Sequence, residues 1–289
     1  MSLTTFLGLK KVRERFNEEF PKPSFCMDKK ILAGPLTKNY TMIGTAFDYL
    51  LRFYIQRLNG SKTIHKKWNA GSVYLRHVHR RAQRFVENEP LYVSKRTDSI
   101  IKIFEDAKIA YDQYLIDGKV TNELLKAPYG LAQLDHIFRS GFIDPTLGVI
   151  DKKDLQDLRN LISAVNPRMF RAKACVLNPT FGEASVLVGG ADADLIINDA
   201  LIDIKTTMFL ELKKNEYHQI IGYYCLYKLN GIDGLKRRHK ISTLGIYYSR
   251  FGYLMTFPVK TFINNRKFSS FLKWFRKEAV KAYGRPNFI

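Results

Sequence analysis

Gly189-Gly190-Ala191-Asp192-Ala193-Asp194-Leu195-Ile196-Ile197-Asn198-Asp199-Ala200-Leu201-Ile202-Asp203-Ile204-Lys205 is the stretch that decides the fold. Ala184 to Ile197 is rich in Val, Leu, Ile and Gly, Asn198-Asp199-Ala200 is a turn signal, and Leu201 to Thr207 is apolar again, so the segment reads as a β-hairpin. Charges sit inside these apolar runs, and an isolated buried charge is costly, so they need a reason to be there. Alternation along a strand puts Asp203 and Lys205 on one face, and the hairpin brings Asp194 beside them. Converging carboxylates form an oxygen-rich site suited to Mg²⁺ or Mn²⁺, with the Ile204 carbonyl as a further ligand. Lys205 would then offset charge on an attacked phosphate. Asp192, two residues earlier on the same face as Asp194, is the other candidate for the first acid.

Further along the chain, Glu211 to Leu229 reads as a helix, Ile241 to Tyr248 and Tyr253 to Val259 as strands, and Phe268 to Tyr283 as an amphipathic helix. The order after residue 180 is strand, strand, helix, strand, strand, helix, which predicts an α/β (α+β) core over 181–289. Residues 1–180 read as mainly helical and are expected to pack on that core. Thr45 to Leu58 has helical spacing and stops at Asn59-Gly60. Ser72 to Glu87, with Val78, Ala82 and Phe85 on one stripe, Ser99 to Tyr114 and Asp154 to Val165 are similar, the last closed by Asn166-Pro167.

Asp194 followed by Asp203-Ile204-Lys205 resembles the PD-(D/E)XK nuclease motif. Gln219-Ile220-Ile221-Gly222-Tyr223 resembles the QxxxY motif of the RecB-like branch, and its i, i+4 spacing puts Gln219 and Tyr223 on one helix face. Ile43 to Leu51 resembles the RecB-like helix that opens Gly-Thr and supplies a His to the metal, with Asp48 at the matching position. The likeness covers roughly residues 180–260 and 43–51. It implies a restriction-endonuclease-like mixed sheet flanked by helices and divalent-metal-dependent hydrolysis of phosphodiesters. Asp194 and Asp203 would bind the metal, with Asp48 or Glu183 in a further acidic role. Lys205 would position the attacking water, and Gln219 and Tyr223 would steady Lys205 and the substrate strand.

The whole-chain balance agrees. The 289 residues carry 47 Lys and Arg against 27 Asp and Glu, a net charge of +20, and 46% are hydrophobic. That mixture is globular, and the charge points to a polyanionic partner, nucleic acid first and an anionic membrane surface second; with the nuclease resemblance, DNA is the expected partner. Residues 206–289 hold 16 of the basic residues against 4 acids, and 61–84 hold 7 with no acid. Arg76, Arg80 and Arg84 recur every four residues as one ridge, and Arg237-Arg238 is a loop cluster; both are expected phosphate contacts. Trp68 and Tyr74 are candidates for base stacking, and His218 is expected at the surface. There is no P-loop, so a motor such as a helicase or recombination partner would come from another chain. No apolar run approaches membrane length and the start shows no secretory signal. Three scattered cysteines, Cys26, Cys175 and Cys225, suit a reducing compartment, so a cytoplasmic location is expected. Two alternatives remain open: a catalytically silent nucleic-acid clamp or complex subunit, and a membrane-surface protein using the helix 268–283.

Overall fold

A computed structural model describes residues 2–25, 27–65, 68–87, 91–236 and 239–284, without the side chains of residues 65, 80–87, 91–94, 265 and 266. Its centre is a six-stranded sheet of β1 (Thr63–His65), β2 (Cys175–Leu177), β3 (Leu195–Ile197), β4 (Ala200–Lys205), β5 (Thr243–Tyr248) and β6 (Tyr253–Pro258), in that spatial order. β1/β2 and β4/β5 are parallel, and the other neighbours are antiparallel. The fold is mixed α/β with a large helical N-terminal portion.

The expected hairpin is β3 and β4, paired Leu195 to Ile202 and Ile197 to Ala200. Asn198 takes the left-handed conformation at its turn, φ 55°, which asparagine tolerates better than most residues. The first strand is shorter than the apolar run. Residues Glu183–Leu187 form a helix instead, and Gly189 (φ 81°) and Gly190 (φ 121°) redirect the chain before β3 begins. β1 and β2 come from the portion read as mainly helical.

The helices are α1 (Leu3–Gly8), α2 (Lys10–Glu19), α3 (Tyr40–Asn59), α4 (Ala70–Glu87), α5 (Leu91–Asp117), α6 (Asn122–Ser140), α7 (Lys152–Ser163), α8 (Glu183–Leu187), α9 (Lys214–Asn230) and α10 (Asn265–Tyr283). Strand alternation divides them into two layers. Leu177, Leu195, Ile197, Ile202, Ile204 and Tyr247 point into a core shared with α3, α5, α6 and α7. Val176, Ile196, Leu201, Leu244, Ile246 and Tyr248 point into a second core shared with α1, α2, α8, α9 and α10. Covering on both faces is why these strands read as near-continuous apolar runs. Asp203 and Lys205 have the parity of Leu201, so they face the α9 layer.

The apolar stripe of α10 is consumed by this second core. Phe271 lies edge-on to Phe16 and Phe20, with ring centroids 5.2 and 4.9 Å apart, and Phe275 meets Phe6 at 5.2 Å. The membrane-surface reading needs that stripe free. Among the described residues no helix is long and apolar enough to cross a membrane. Among the described side chains of α4, Ala70, Val73 and His77 are buried and Val78 is exposed; Ala82 and Phe85 of the expected stripe lie outside the described side chains.

His218 is buried, against the expectation of a surface position. Its Nε2 lies 3.2 Å from the Phe20 carbonyl and its ring packs on Phe16. Burial holds its pKa below the usual 6.5, outweighing the hydrogen bond to Phe20. A histidine lowered on folding is protonated first in the unfolded chain. Its stabilising contribution is therefore complete above about pH 6.5 and fades as pH falls below it. The melting temperature of wild type should drop more between pH 7.5 and 5.5 than that of His218→Asn; parallel curves would refute this.

Candidate metal-dependent active site

Extending the β3/β4 register by one residue places Asp194 opposite Asp203. Asp194 Oδ2 accepts a hydrogen bond from the Ile204 amide at 2.6 Å, which pins the carboxylate across the strand end. Lys205 Nζ lies 2.7 Å from Asp203 Oδ2 and donates to Gln219 Oε1 at 3.1 Å. Gln219 Nε2 donates to the Tyr223 hydroxyl at 3.2 Å. Sequence elements on a hairpin and on the next helix thus form one connected chain, Asp203–Lys205–Gln219–Tyr223. Gly222 serves the packing of this helix against α1. A Cβ there would stand 3.2 Å from the side chains of Leu3 and Leu7, so the lack of one lets α1 lie close on α9.

These groups line a cavity of about 310 Å³ together with Asp48, Asp192 and the Ile204 backbone. Asp48 enters from α3. Its Oδ2 is held at 2.5 Å by Arg52 on the next turn, and Arg52 also lies over the Tyr49 ring at 4.4 Å. Glu183, exposed at the start of α8, does not line the cavity. Asp192 does, so both candidates for the first acid face it; Asp194 has the bond to β4. Arg52, Asp135 and Arg139 also line the cavity and were not anticipated. The i, i+4 pairs Asp48/Arg52 and Asp135/Arg139 were a readable signal for them.

The electrostatics are strained. Burial, reinforced by Asp203 and Asp48, pushes the Asp194 carboxyl well above the usual carboxylate range, although Lys205 and the Ile204 amide act the other way. Burial also raises Asp48, against the pull of Arg52. Burial pulls the Lys205 ammonium down, but Asp203 and Asp194 outweigh it and hold the group at about 12. Burial likewise raises Tyr223, so its hydroxyl keeps its proton.

One carboxylate oxygen of the cavity, Asp48 Oδ1, is buried without a hydrogen-bond donor, and Asp203 Oδ2 is met by the Lys205 ammonium alone, at 2.7 Å. An orphaned oxygen of this kind, and an all-oxygen donor set, fit a hard divalent cation. Among the described residues no three His, Cys, Asp or Glu side chains make a preassembled cage. Mg²⁺ does not require one, since it commonly binds one or two carboxylates and keeps waters and substrate phosphates as its other ligands.

An ionised Asp194 is a cost to the metal-free fold. Its folded value lies above the unfolded 3.8, so ionisation at neutral pH opposes folding. Asp194→Asn keeps the acceptor for Ile204 and removes that charge. It should stabilise the chelator-treated protein by about 0.5–2 kcal/mol at pH 7. The gain should shrink as pH falls towards 3.8 and vanish below it, where the proton is bound in both states. Thermal melts in EDTA across that pH range test it, and a destabilised variant would contradict it.

The other expected residues are placed differently. Arg76 is exposed on α4; the Arg80 and Arg84 side chains, and Arg237 and Arg238, lie outside the described residues. Trp68 packs against Phe53, Phe104 and Tyr111, and Tyr74 stacks on Phe104 at 4.4 Å, so both rings are engaged in the helical layer. No protein-family model, curated protein or solved structure matches this chain.

Proposed function

We propose that this chain is a divalent-metal-dependent nuclease that hydrolyses phosphodiester bonds, with DNA as its substrate. The observation that carries the reading is the convergence of Asp194, Asp203, Lys205, Gln219 and Tyr223 on one cavity, in the order and spacing of the PD-(D/E)XK motif of the RecB-like branch. Asp194 and Asp203 would hold Mg²⁺ or Mn²⁺, with Asp48 Oδ1 and the Ile204 carbonyl as further oxygens. A bound ion of this type supplies positive charge to phosphoryl oxygens and acidifies water.

The protein's own groups have definable roles. With its ammonium held at about 12, Lys205 stays charged at neutral pH. It therefore acts as a fixed cation and donor that orients the attacking water and stabilises charge growing on the phosphate, not as a base that gives up a proton. Gln219 sets the direction of that ammonium, because its carbonyl end faces Lys205 and its amide end is committed to Tyr223. The Tyr223 proton is then free to donate towards a phosphate oxygen of the substrate. The net +20 charge favours a polyanion on approach and makes binding salt-dependent.

The test is cleavage of end-labelled linear, circular and single-stranded substrates by wild type and Lys205→Ala, with Mg²⁺, Mn²⁺ or EDTA. Activity should require the metal and fall in the variant. Metal-independent cutting, or an unaffected variant, would remove the mechanism. Binding without hydrolysis on every substrate would leave a nucleic-acid clamp.

A further inference from the structure

Three arginines of the described structure pair with aspartates at or below the surface, and they differ in what they leave over. Arg250 commits both terminal nitrogens, to Asp157 and the Ala33 carbonyl. Arg52 is 7% exposed and commits Nε and one terminal nitrogen to Asp48. Arg139 on α6 is bound through Nε alone, 2.7 Å from the Asp135 carboxylate. Its side chain is 64% exposed against 4% for that of Asp135, and its two terminal nitrogens donate to no described residue. A guanidinium anchored by Nε on an immobile carboxylate points its remaining fork outward at little further entropic cost, and that fork matches two oxygens of a phosphate.

Its position gives the fork a purpose. Arg139, Asp135 and Thr45 line the catalytic cavity and also a second one of about 460 Å³. Lys38, Tyr40 and His136, all exposed, line the second cavity. The two form a path with Arg139 at the junction. Five aspartates and three cations line the catalytic cavity. Lys205 is paired with Asp203 and Arg52 with Asp48, and both are far less exposed than Arg139, the one of the three with both terminal nitrogens uncommitted to any described residue. A phosphate entering so acidic a place needs such a donor.

We propose that Arg139 grips the phosphate next to the one under attack, and that the attached nucleotide lies in the second cavity, so that the substrate is a single strand threaded past Arg139. The proposal rests on the nuclease reading and adds to it the strandedness of the substrate and a positioning residue. The carboxylates line a cavity of about 310 Å³ that adjoins, at Arg139, one of about 460 Å³, a path on the scale of a few nucleotides that suits one flexible strand better than a stiff paired duplex. A single strand can bend through the path, with Tyr40 available to a base and Lys38 to a further phosphate.

The experiment separates the grip from the chemistry. Fluorescence anisotropy of a labelled oligothymidylate is measured in EDTA, where metal-dependent turnover is silent, for wild type, Arg139→Gln and Arg139→Lys. Glutamine still donates to Asp135, so the fold is kept while the fork is lost; circular dichroism checks this. Arg139→Gln should bind about tenfold more weakly and show a salt slope lower by about one. Arg139→Lys, a point charge, should recover the slope and only part of the affinity. In Mg²⁺ the Gln variant should show a raised KM with kcat nearly unchanged, and blunt duplex should compete poorly. Unchanged affinity and slope, or a duplex that competes equally, would overturn the proposal, and cleavage by wild type would then leave the nuclease reading standing. Arg139-dependent binding without any cleavage would support the grip and sink the nuclease reading. A wild-type protein that does not bind the strand would overturn both.

Discussion

Asp203→Asn is expected to lower metal-dependent cleavage by roughly 10²–10⁴-fold, the range seen when one essential polar group is removed from an active site, while the fold survives. Asp203 is 2% exposed on the α9 face of its strand, between Lys205 and the wholly buried Leu201. Asparagine has nearly the same shape, so the β3/β4/β5 ladder has no steric reason to shift. Two consequences follow from the lost charge. The carboxylate that would share a cation with Asp194 becomes a neutral amide, a far poorer ligand for a hard ion. The ammonium of Lys205 also loses its nearest counter-charge at 2.7 Å, leaving burial to pull its pKa down from about 12. Both changes strike the same step, so Asp203→Asn with Lys205→Ala should be little worse than the more damaging single variant. Rates under single-turnover conditions with saturating Mg²⁺, alongside thermal melts, measure this. A variant that cleaves at the wild-type rate would show that Asp203 is only half of a buried ion pair.

The site was legible because its signals are local. Alternation with a period of two put Asp203 and Lys205 on one side, the Asn198-Asp199 turn carried Asp194 back to them, and the i, i+4 interval aligned Gln219 with Tyr223. None of these inferences needed to know what lies on the other side of the sheet. The features that escaped depend on long-range packing. Three-residue strands such as β1 and β2 have no period to detect, and they become strands by pairing with each other and with β3. Helix α6 carries Pro128 and Gly130 in its interior, both unfavourable there. It is nevertheless helical because Leu124, Leu125, Leu131 and Leu134 are buried to 1% or less. With α6 unread, Asp135 and Arg139 had no place in the site. His218 looked like a surface residue beside Gln219, but one position earlier along α9 it faces Phe16 of α2 and the Phe20 carbonyl, which sequence order keeps about 200 residues away.

Arg250→Ala is expected to destabilise the protein by about 3–5 kcal/mol, as breaking one side of a buried ion pair typically does. Arg250 follows β5 and is 1% exposed; its terminal nitrogens meet the two oxygens of Asp157 on α7 at 2.8 and 3.0 Å. One of them also reaches the Ala33 carbonyl at 2.9 Å, while the Arg250 carbonyl accepts from the amides of Leu32 and Ala33. The residue therefore ties three parts of the chain together: the sheet, α7, and the long segment before α3. One turn earlier on α7, Asp154 secures the same segment, accepting from Thr37 at 2.5 Å and Asn39 at 2.8 Å, and ties it to α6 through Tyr129 at 2.8 Å. Alanine at 250 leaves the Asp157 carboxylate buried without its cation and the Ala33 carbonyl without its donor, which costs more than the lost contacts alone. The shift in melting temperature should be roughly 10 °C. Arg250→Met with Asp157→Leu should recover most of it, because two apolar side chains of similar bulk carry no desolvation penalty. Since the segment anchored by Arg250 leads directly into α3, which carries Asp48 and Arg52, loosening it should also weaken cleavage at temperatures where the variant is still folded. Urea unfolding at pH 7 checks the main effect, and a change within about 0.5 kcal/mol would mean that water or a rearranged loop replaces the pair.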